Sequence, residues 1–166
     1  MGILCSGPLT AWRIASSEFI NSFDGEGARR KGQRWNPQGQ PAIYAAESFA
    51  LAMLEVLVGA NGVPPPMSYL EIQVGESVGI EKVSPDDCVG WDRDDYKASQ
   101  FYGEAWYQKA ETAVLLVPSR VTCVGGFSLG NNLVINPHHR DFIAGKISRG
   151  ISKSLAWDPR IFRLFR

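Results

Sequence analysis

The segments of this chain that favour strands and those that favour helices do not alternate regularly, and this order constrains the fold more than any other feature of the sequence. Apolar segments typical of strands occupy residues 9–14, 42–46, 69–74, 113–117, 121–124, 132–135 and 161–165. Segments with helical signals occupy residues 47–58, 92–109 and 141–146. A parallel sheet needs a crossover connection between successive strands, whereas short hairpin-like strands dominate the second half of this chain. The pattern therefore predicts a mixed α+β fold with a largely antiparallel sheet.

Length and charge limit the classes of protein to which the chain can belong. With 166 residues it is long enough to bury the core of one domain, which we expect to span residues 1–166. Seventeen Lys and Arg residues balance seventeen Asp and Glu residues, so the chain lacks the basic surplus typical of proteins that bind nucleic acid. Direct binding of nucleic acid is therefore not expected.

Cysteine usage and hydropathy indicate the compartment. The three cysteines are odd in number, far apart and without a C-x-x-C spacing, so neither a full disulfide framework nor a cysteine metal site is expected. The N-terminus lacks the basic region of a secretory signal, and the most apolar stretch, 42–60, is interrupted by Glu47 and Glu55. These features predict a soluble, cytoplasmic protein that does not contact a membrane.

The stretch 29–55 carries the most informative polar residues. A cationic, glycine-containing loop leads into a strand with Tyr44 and then a helix with Glu55. Arg34 lies in a turn, and its planar guanidinium suits a phosphate or pyrophosphate, although a surface loop arginine is the simpler interpretation. On a helical wheel Glu55 falls about 40° from Leu51, at the edge of the apolar stripe. A carboxylate at that place needs either a function or a partner such as a nearby arginine.

Three further residues are candidates for a site. Arg13 lies inside a short apolar strand, where its charge must face a cleft, a partner or solvent. Tyr44 belongs either to the core or to a platform on which a planar heterocycle stacks. Ser119 follows a buried strand and either hydrogen-bonds a turn or projects into a site. No G-x-S-x-G sequence surrounds Ser119, so a serine hydrolase is not expected.

The adjacent residues His138 and His139 do not indicate a metal site. Neighbouring side chains on an extended chain point to opposite faces and do not readily chelate one ion. They follow Asn136-Pro137, which marks a turn. The sequence also contains no glycine-rich phosphate-binding fingerprint. We expect no metal and no bound cofactor.

Several short motifs follow one another in a defined order along nearly the whole chain. They are Trp12-Arg13-Ile14, Gly32-x-Arg34-Trp35-Asn36-Pro37 with Gly39, Ala42-Ile43-Tyr44-Ala45, Ala52-x-x-Glu55, Val117-Pro118-Ser119 and Asn136-Pro137-x-His139. Each motif is weak alone, but their order and spacing together resemble the RES family. That family supplies the toxin of bacterial toxin–antitoxin pairs and is named for its Arg, Glu and Ser residues.

The resemblance implies a fold, an activity and a partner. The implied fold is similar to that of ADP-ribosyltransferases, with a split, curved, mainly antiparallel sheet and NAD as substrate in its cleft. The implied activity depletes cellular NAD, by hydrolysis or phosphorolysis of the nicotinamide–ribose bond. The implied partner is a cognate antitoxin of the helix-turn-helix, Xre type. The functional residues of the family correspond to Arg13, Arg34, Tyr44, Glu55 and Ser119.

The chemistry of that bond gives these residues hypothetical roles. Cleavage passes through a ribose cation, which a fixed carboxylate stabilises while anchors hold the pyrophosphate. Glu55 is expected to act at the ribose, and Arg13 and Arg34 to clamp the phosphates. Tyr44 is expected to stack on nicotinamide. Ser119 is expected to hold the nicotinamide amide or a ribose hydroxyl.

Three other functions remain open from the sequence. The same site in an ADP-ribosyltransferase would attach ADP-ribose to a protein. A ribonuclease toxin would use Arg34, Glu55 and His139 on RNA, although the neutral net charge argues against it. A non-catalytic module would only bind a partner protein.

Overall fold

The computed structural model describes residues 2–60 and 63–165 and contains a large sheet flanked by short helices. The strands are β1 Ile3–Ser6, β2 Leu9–Ser16, β3 Ile43–Ala46, β4 Met67–Val74, β5 Gly79–Lys82, β6 Val114–Pro118, β7 Cys123–Val124, β8 Phe127–Ser128, β9 Asn131–Ile135, β10 Ile147–Arg149 and β11 Lys153–Ser154. The α-helices are α1 Glu26–Lys31, α2 Phe49–Gly59, α3 Lys97–Lys109 and α4 Arg140–Ile143. Two 3₁₀ helices cover Pro85–Asp87 and Pro159–Phe165.

Nine strands form one sheet in the order β1-β5-β6-β9-β3-β2-β4-β10, with β11 also paired to β4. Strands β7 and β8 form a separate hairpin. Within the described residues, β5 and β6 are the one parallel pair of neighbours, and all other neighbours are antiparallel. The predicted α+β class with a mainly antiparallel sheet is therefore confirmed.

The sheet opens between two of its central strands. Strands β2 and β4 pair along their whole length, and β3 pairs with β9 at all four of its residues. Between β2 and β3, in contrast, the pairing is limited to Trp12 opposite Ala46. Beyond that pair the two strands separate, so the sheet is split there and side chains from both strands border the gap.

Apolar side chains cover both faces of the strands on one side of this split. Leu133 and Ile135 of β9 pack with Ile43 in one core cluster. Val134, between them in sequence, packs in a second cluster that contains Trp35 and Trp106. The neighbouring strand β6 is buried in the same way, with Val114 in the first cluster and Leu115 and Val117 in the second. Burial on both faces explains why the segment 113–117 is a continuous apolar run and not an alternating one.

Most predicted elements lie close to their observed positions. The structure confirms strands at 9–14, 42–46, 69–74, 113–117, 121–124 and 132–135 and helices at 47–58, 92–109 and 141–146, with shifted ends. Helix α2 begins after Ser48, whose hydroxyl accepts a hydrogen bond from the Leu51 amide at 3.1 Å. Helix α3 begins only after Tyr96, which adopts a left-handed φ of 57° and interrupts the predicted helix.

The strand predicted at 161–165 is wrong, because these residues belong to the 3₁₀ helix Pro159–Phe165. Asp158 begins that helix: its carboxylate accepts from the Arg160 amide at 2.9 Å, and its carbonyl accepts from the Ile161 amide at 3.1 Å. Within the described part of the chain, no helix has the length and apolar character needed to cross a membrane.

Candidate functional site

A cleft of about 910 Å³ lies where β2 and β3 separate. Its volume falls within the range of about 300–1,000 Å³ that is usual for sites of small molecules and cofactors. Side chains from β2, β3, α2 and β9 line it, among them Trp12, Arg13, Tyr44, Glu55 and Asn132. The split in the sheet thus creates a concave site with both a cation and a carboxylate in its wall.

Arg13 is a largely enclosed cation that forms no salt bridge among the described residues. Its Nη1 donates a hydrogen bond to the carbonyl oxygen of Tyr44 at 3.3 Å, across the split. Its Nε is buried and donates to no group in the described residues, among which Arg13 forms no salt bridge. Loss of water lowers the pKa of Arg13, while the nearby Asp24 carboxylate acts in the opposite direction. Such a guanidinium is suited to an anionic ligand that enters the cleft.

Glu55 also lines the cleft and is held by one of its two carboxylate oxygens. Oε1 accepts a hydrogen bond from Ser119 Oγ at 2.6 Å and another from Asn132 Nδ2 at 2.5 Å. Among the described residues no group donates to Oε2. The carboxylate is therefore oriented by two donors and keeps one oxygen available to a ligand.

The position of Glu55 on its helix differs from the prediction. Leu51 and Ala52 are buried, whereas Leu54 and Val58 are 43% and 67% exposed. The buried face of α2 is therefore centred near Glu55, which lies between Leu51 and Ala52 on the helical wheel. The predicted stripe through Leu54 and Val58 is wrong, because α2 turns its carboxylate towards the sheet. The alternative partner, an arginine, is also wrong, since a serine and an amide hold Glu55.

Ser119 lies directly behind Glu55, at the end of β6, and is completely buried. Its amide donates to the Gly130 carbonyl at 2.9 Å and to Ser128 Oγ at 3.0 Å, and its carbonyl accepts from Ser128 Oγ at 2.9 Å. Its own hydroxyl donates to Glu55. The structure thus gives Ser119 a contact with the carboxylate, whereas the expected contact with nicotinamide or ribose would require an exposed hydroxyl.

Tyr44 joins the cleft to the turn that carries Arg34. Its hydroxyl donates to Asn36 Oδ1 at 2.8 Å and accepts from the Trp35 amide at 3.1 Å. Burial raises the pKa of Tyr44 well above its usual value, so the hydroxyl stays protonated. Asn36 in turn donates through Nδ2 to the carbonyls of Ala28, Pro37 and Gln40. The side chain of Tyr44 lines the cleft, and its hydroxyl fixes the loop beside it.

Arg34 holds a loop and is not among the side chains that line the cleft. Its Nη1 donates to the carbonyls of Trp91 and Arg93 at 2.9 and 2.8 Å, and its guanidinium lies 4.4 Å from the centre of the Tyr96 ring. Desolvation lowers the pKa of Arg34. The expected convergence of both arginines with Glu55 is seen only for Arg13, because backbone carbonyls engage Arg34.

The two histidines have separate surroundings. His139 is buried, accepts from the Asp141 amide through Nδ1 at 3.1 Å, and lies 3.1 Å through Nε2 from the Ala110 carbonyl. His138 Nδ1 lies 3.0 Å from the Tyr107 hydroxyl. In residues 2–60 and 63–165, no three side chains of His, Cys, Asp or Glu are grouped in a way that would hold a metal ion.

Neither the role of Asn132 nor the orientation of α1 could be predicted from the sequence. Asn132 is the first residue of a predicted strand, and a polar residue at that position does not indicate a hydrogen bond to the distant Glu55. Arg30 and Lys31 of α1 line the cleft, whereas Arg29 of the same helix pairs with Glu26 at 2.8 Å. The cationic character of this stretch was evident from the sequence, but the direction of α1 decides which of its cations face the site.

The family of the chain follows from comparison with known proteins. Residues 10–158 match the RES domain. The chain belongs to the RES domain family. The resemblance inferred from the motifs is therefore confirmed.

Two curated relatives match along almost their whole length. The Prs ADP-ribosylating toxin of Sphingobium sp. (strain YBL2) is 38% identical over 161 residues, which cover 92% of this chain and 96% of that protein. Toxin Res of Yersinia enterocolitica serotype O:8 / biotype 1B is 33% identical over 155 residues, with 90% and 97% covered. Among solved structures, the M. tuberculosis MbcT–MbcA toxin–antitoxin complex matches with a TM-score of 0.73 and 24% identity, over 97% of this chain and 90% of that one. The structural likeness supports the fold.

Proposed function

We propose that this RES domain protein is the toxin of a toxin–antitoxin pair and that it cleaves the nicotinamide–ribose bond of NAD. The names of its relatives support the first part, since the two reported above are called toxins. The second part rests on one observation: the same cleft is lined by a largely enclosed guanidinium, which forms no salt bridge among the described residues, and by a carboxylate with only one oxygen engaged. In this proposal the protein acts in the cytoplasm on the cell's own NAD.

The reaction needs an anion site and a negative group at a fixed separation. As the glycosidic bond breaks, positive charge develops on the ribose and nicotinamide leaves as a neutral molecule. Arg13 offers the positive charge of its guanidinium to the pyrophosphate, and Arg30 and Lys31 of α1 also line the cleft. Glu55 offers Oε2 to the ribose hydroxyls and to the developing cation.

The other predicted residues support this pair. Ser119 holds Oε1 of Glu55, so the carboxylate meets the ribose in one orientation. Arg34 ties its turn to the loop at residues 91–96. The Tyr44 side chain lies in the cleft wall, and stacking of nicotinamide on its ring stays a prediction. We propose no metal or cofactor, because the carboxylate and guanidinium supply the charges that this reaction needs.

Transfer of ADP-ribose to a protein is the second candidate, and the name of the Sphingobium relative favours it. The first half of the reaction is the same, and only the acceptor of the ribose cation differs. A ribonuclease is disfavoured, because the buried ring of His139 is engaged at the start of α4 and does not reach a substrate. The proposed partner is a helix-turn-helix, Xre-type antitoxin, in keeping with the toxin–antitoxin complex seen for the structural relative.

NAD labelled in its adenylate half distinguishes these reactions. Hydrolysis gives labelled ADP-ribose, phosphorolysis gives labelled ADP-ribose phosphate only when phosphate is present, and transfer leaves the label on protein. Whichever of these products the unchanged protein forms, Arg13→Ala and Glu55→Ala should abolish it. If both variants still form the product of the unchanged protein, the assignment of the site is contradicted. If expression of either variant still arrests growth, a non-catalytic binding module is favoured.

A further inference from the structure

We propose that Asn132 of β9 is a positioning residue that sets the direction of the Glu55 carboxylate. This inference rests on the proposed function, since it concerns how Glu55 meets the ribose of NAD. Asn132 lines the cleft, and its Nδ2 donates to Glu55 Oε1 at 2.5 Å. Ser119 Oγ donates to the same oxygen at 2.6 Å. Two donors from different strand ends thus converge on one carboxylate oxygen.

Two donors on one oxygen determine what the other oxygen can do. A carboxylate held by a single hydrogen bond can rotate about that bond, whereas two fixed donors restrict both its position and its plane. In Glu55 this arrangement saturates Oε1 and leaves Oε2 without a donor among the described residues. The protein therefore orients the Glu55 carboxylate through one oxygen and leaves the other oxygen available to bind a ligand.

The orientation of the Asn132 amide is fixed by charge. Exchange of its two terminal atoms would bring Oδ1 against Glu55 Oε1, and two acceptors without a proton between them repel. In the observed orientation Asn132 Oδ1 is buried and accepts no hydrogen bond from the described residues. An unsatisfied buried acceptor reduces stability. The loss of stability at Asn132 Oδ1 accompanies the hydrogen bond by which Asn132 Nδ2 holds the Glu55 carboxylate.

The adjacent residue makes the same kind of contact for a different purpose. Asn131 donates its amide N–H to Glu47 Oε1 at 2.8 Å and its Nδ2 to Glu47 Oε2 at 2.9 Å. The Glu47 amide donates back to the Asn131 carbonyl at 3.1 Å. Both oxygens of Glu47 are therefore used within the protein. The Asn131–Glu47 pair fastens the start of α2 to β9, whereas the Asn132–Glu55 pair leaves one oxygen free in the cleft.

These two pairs provide a matched experiment. Asn132→Asp keeps the shape of the side chain but replaces the donor with an acceptor, and Asn131→Asp makes the same change beside Glu47. We expect N132D to lower kcat for nicotinamide release about 10- to 100-fold with a much smaller change in KM, because the substrate still binds. We expect N131D to keep the kcat of the unchanged protein, even if its melting temperature falls.

A pH profile separates positioning from simple disruption. At lower pH the carboxyl introduced by N132D takes up a proton and again donates to Glu55, so its kcat should recover relative to the unchanged protein. Asn132→Ala has no such proton and should stay slow at every pH, while its melting temperature remains close to that of the unchanged protein. Equal kcat in N132D and N131D, or an N132D deficit that does not depend on pH, would overturn the inference.

The inference can fail independently of the proposed function. An unchanged protein that releases no nicotinamide contradicts the proposed function. In that case the crystal structure of N132A decides the inference. A Glu55 carboxylate that rotates away from its present position supports the positioning role, and an unmoved carboxylate overturns it.

Discussion

Replacement of Arg13 by methionine should make the protein more stable and prevent it from binding NAD. Arg13 leaves its buried Nε without an acceptor in the described residues, which costs about 1–3 kcal/mol. The one hydrogen bond that its side chain makes to a described residue, to the Tyr44 carbonyl, is long at 3.3 Å and contributes about 1 kcal/mol or less. Arginine keeps its charge at every usable pH, so burial of the guanidinium remains unfavourable throughout.

The balance predicts a gain of about 1 kcal/mol for Arg13→Met, which in a chain of this length raises the melting temperature by about 2–4 °C. Thermal unfolding measures this directly, and Arg149→Met is a suitable control because that arginine is exposed and its side chain bonds only Asn21 Oδ1 among the described residues. The predicted loss of NAD binding is measured in two proteins that both carry Glu55→Gln, one with Arg13 and one with R13M, so that NAD is not consumed. NAD at about 100 times its Kd should then stabilise the protein with Arg13 by about 2.7 kcal/mol and leave R13M almost unaffected.

A loss of 2 kcal/mol or more in R13M would refute this reasoning. It would mean that the hydrogen bond across the split holds β2 and β3 together and that Arg13 is retained for stability. An unchanged response to NAD would equally refute the assignment of Arg13 as the anion site.

Three other substitutions test the surroundings of the cleft. Tyr44→Phe should lower the free energy of unfolding by about 2 kcal/mol in urea titrations, because the Trp35 amide loses its acceptor. Gly103→Ala should cost about 3 kcal/mol in the same measurement, since a Cβ there would lie 1.8 Å from the Trp35 carbonyl oxygen. Ser119→Ala should lower kcat for nicotinamide release about 10- to 100-fold with little change in KM, because Glu55 keeps only one of its two donors.

Each of these predictions has an outcome that contradicts it. For G103A the control is Gly59→Ala at the end of α2, where a Cβ would meet no atom within 4 Å, and equal effects of the two changes would exclude the proposed clash. Unchanged stability of Y44F would show that the loop does not depend on the tyrosine hydroxyl. A rise in KM without loss of kcat in S119A would indicate direct contact of the serine with substrate.

The alternation of apolar residues predicted the sheet well, because side chains on a strand report locally which face is buried. The segment 69–74 is the clearest case, since Leu70, Ile72 and Val74 are all buried in β4 as predicted. The prediction at 161–165 is wrong because a short apolar segment is compatible with several conformations, and the local hydrogen bonds of Asp158 favour a 3₁₀ turn.

The orientation of α2 required the three-dimensional structure. A helical wheel assigns the buried face from hydrophobicity alone, and Leu54 and Val58 are apolar but exposed. The hydrogen bonds of Glu55 turn the helix the other way, and both of their donors lie more than sixty residues later in the chain. No local pattern contains that contact.

The candidate residues were identified by type, but their roles depended on distant partners. Arg13 and Glu55 line one cleft. Arg34 is engaged by carbonyls of residues 91 and 93, and Ser119 is engaged by Glu55. The sequence indicated which side chains were unusual, whereas the roles of Arg34 and Ser119 follow from contacts across the folded chain.

Release of nicotinamide from NAD by the purified protein tests the central claim most directly. The comparison is between the unchanged protein, Glu55→Gln, and Glu47→Gln, which alters a carboxylate whose two oxygens are both engaged within the protein. We predict release by the unchanged protein and by E47Q, and a loss of at least about 100-fold in E55Q, which lacks the negative charge at the ribose. Equal rates in E55Q and E47Q, or no release by the unchanged protein, would contradict the account.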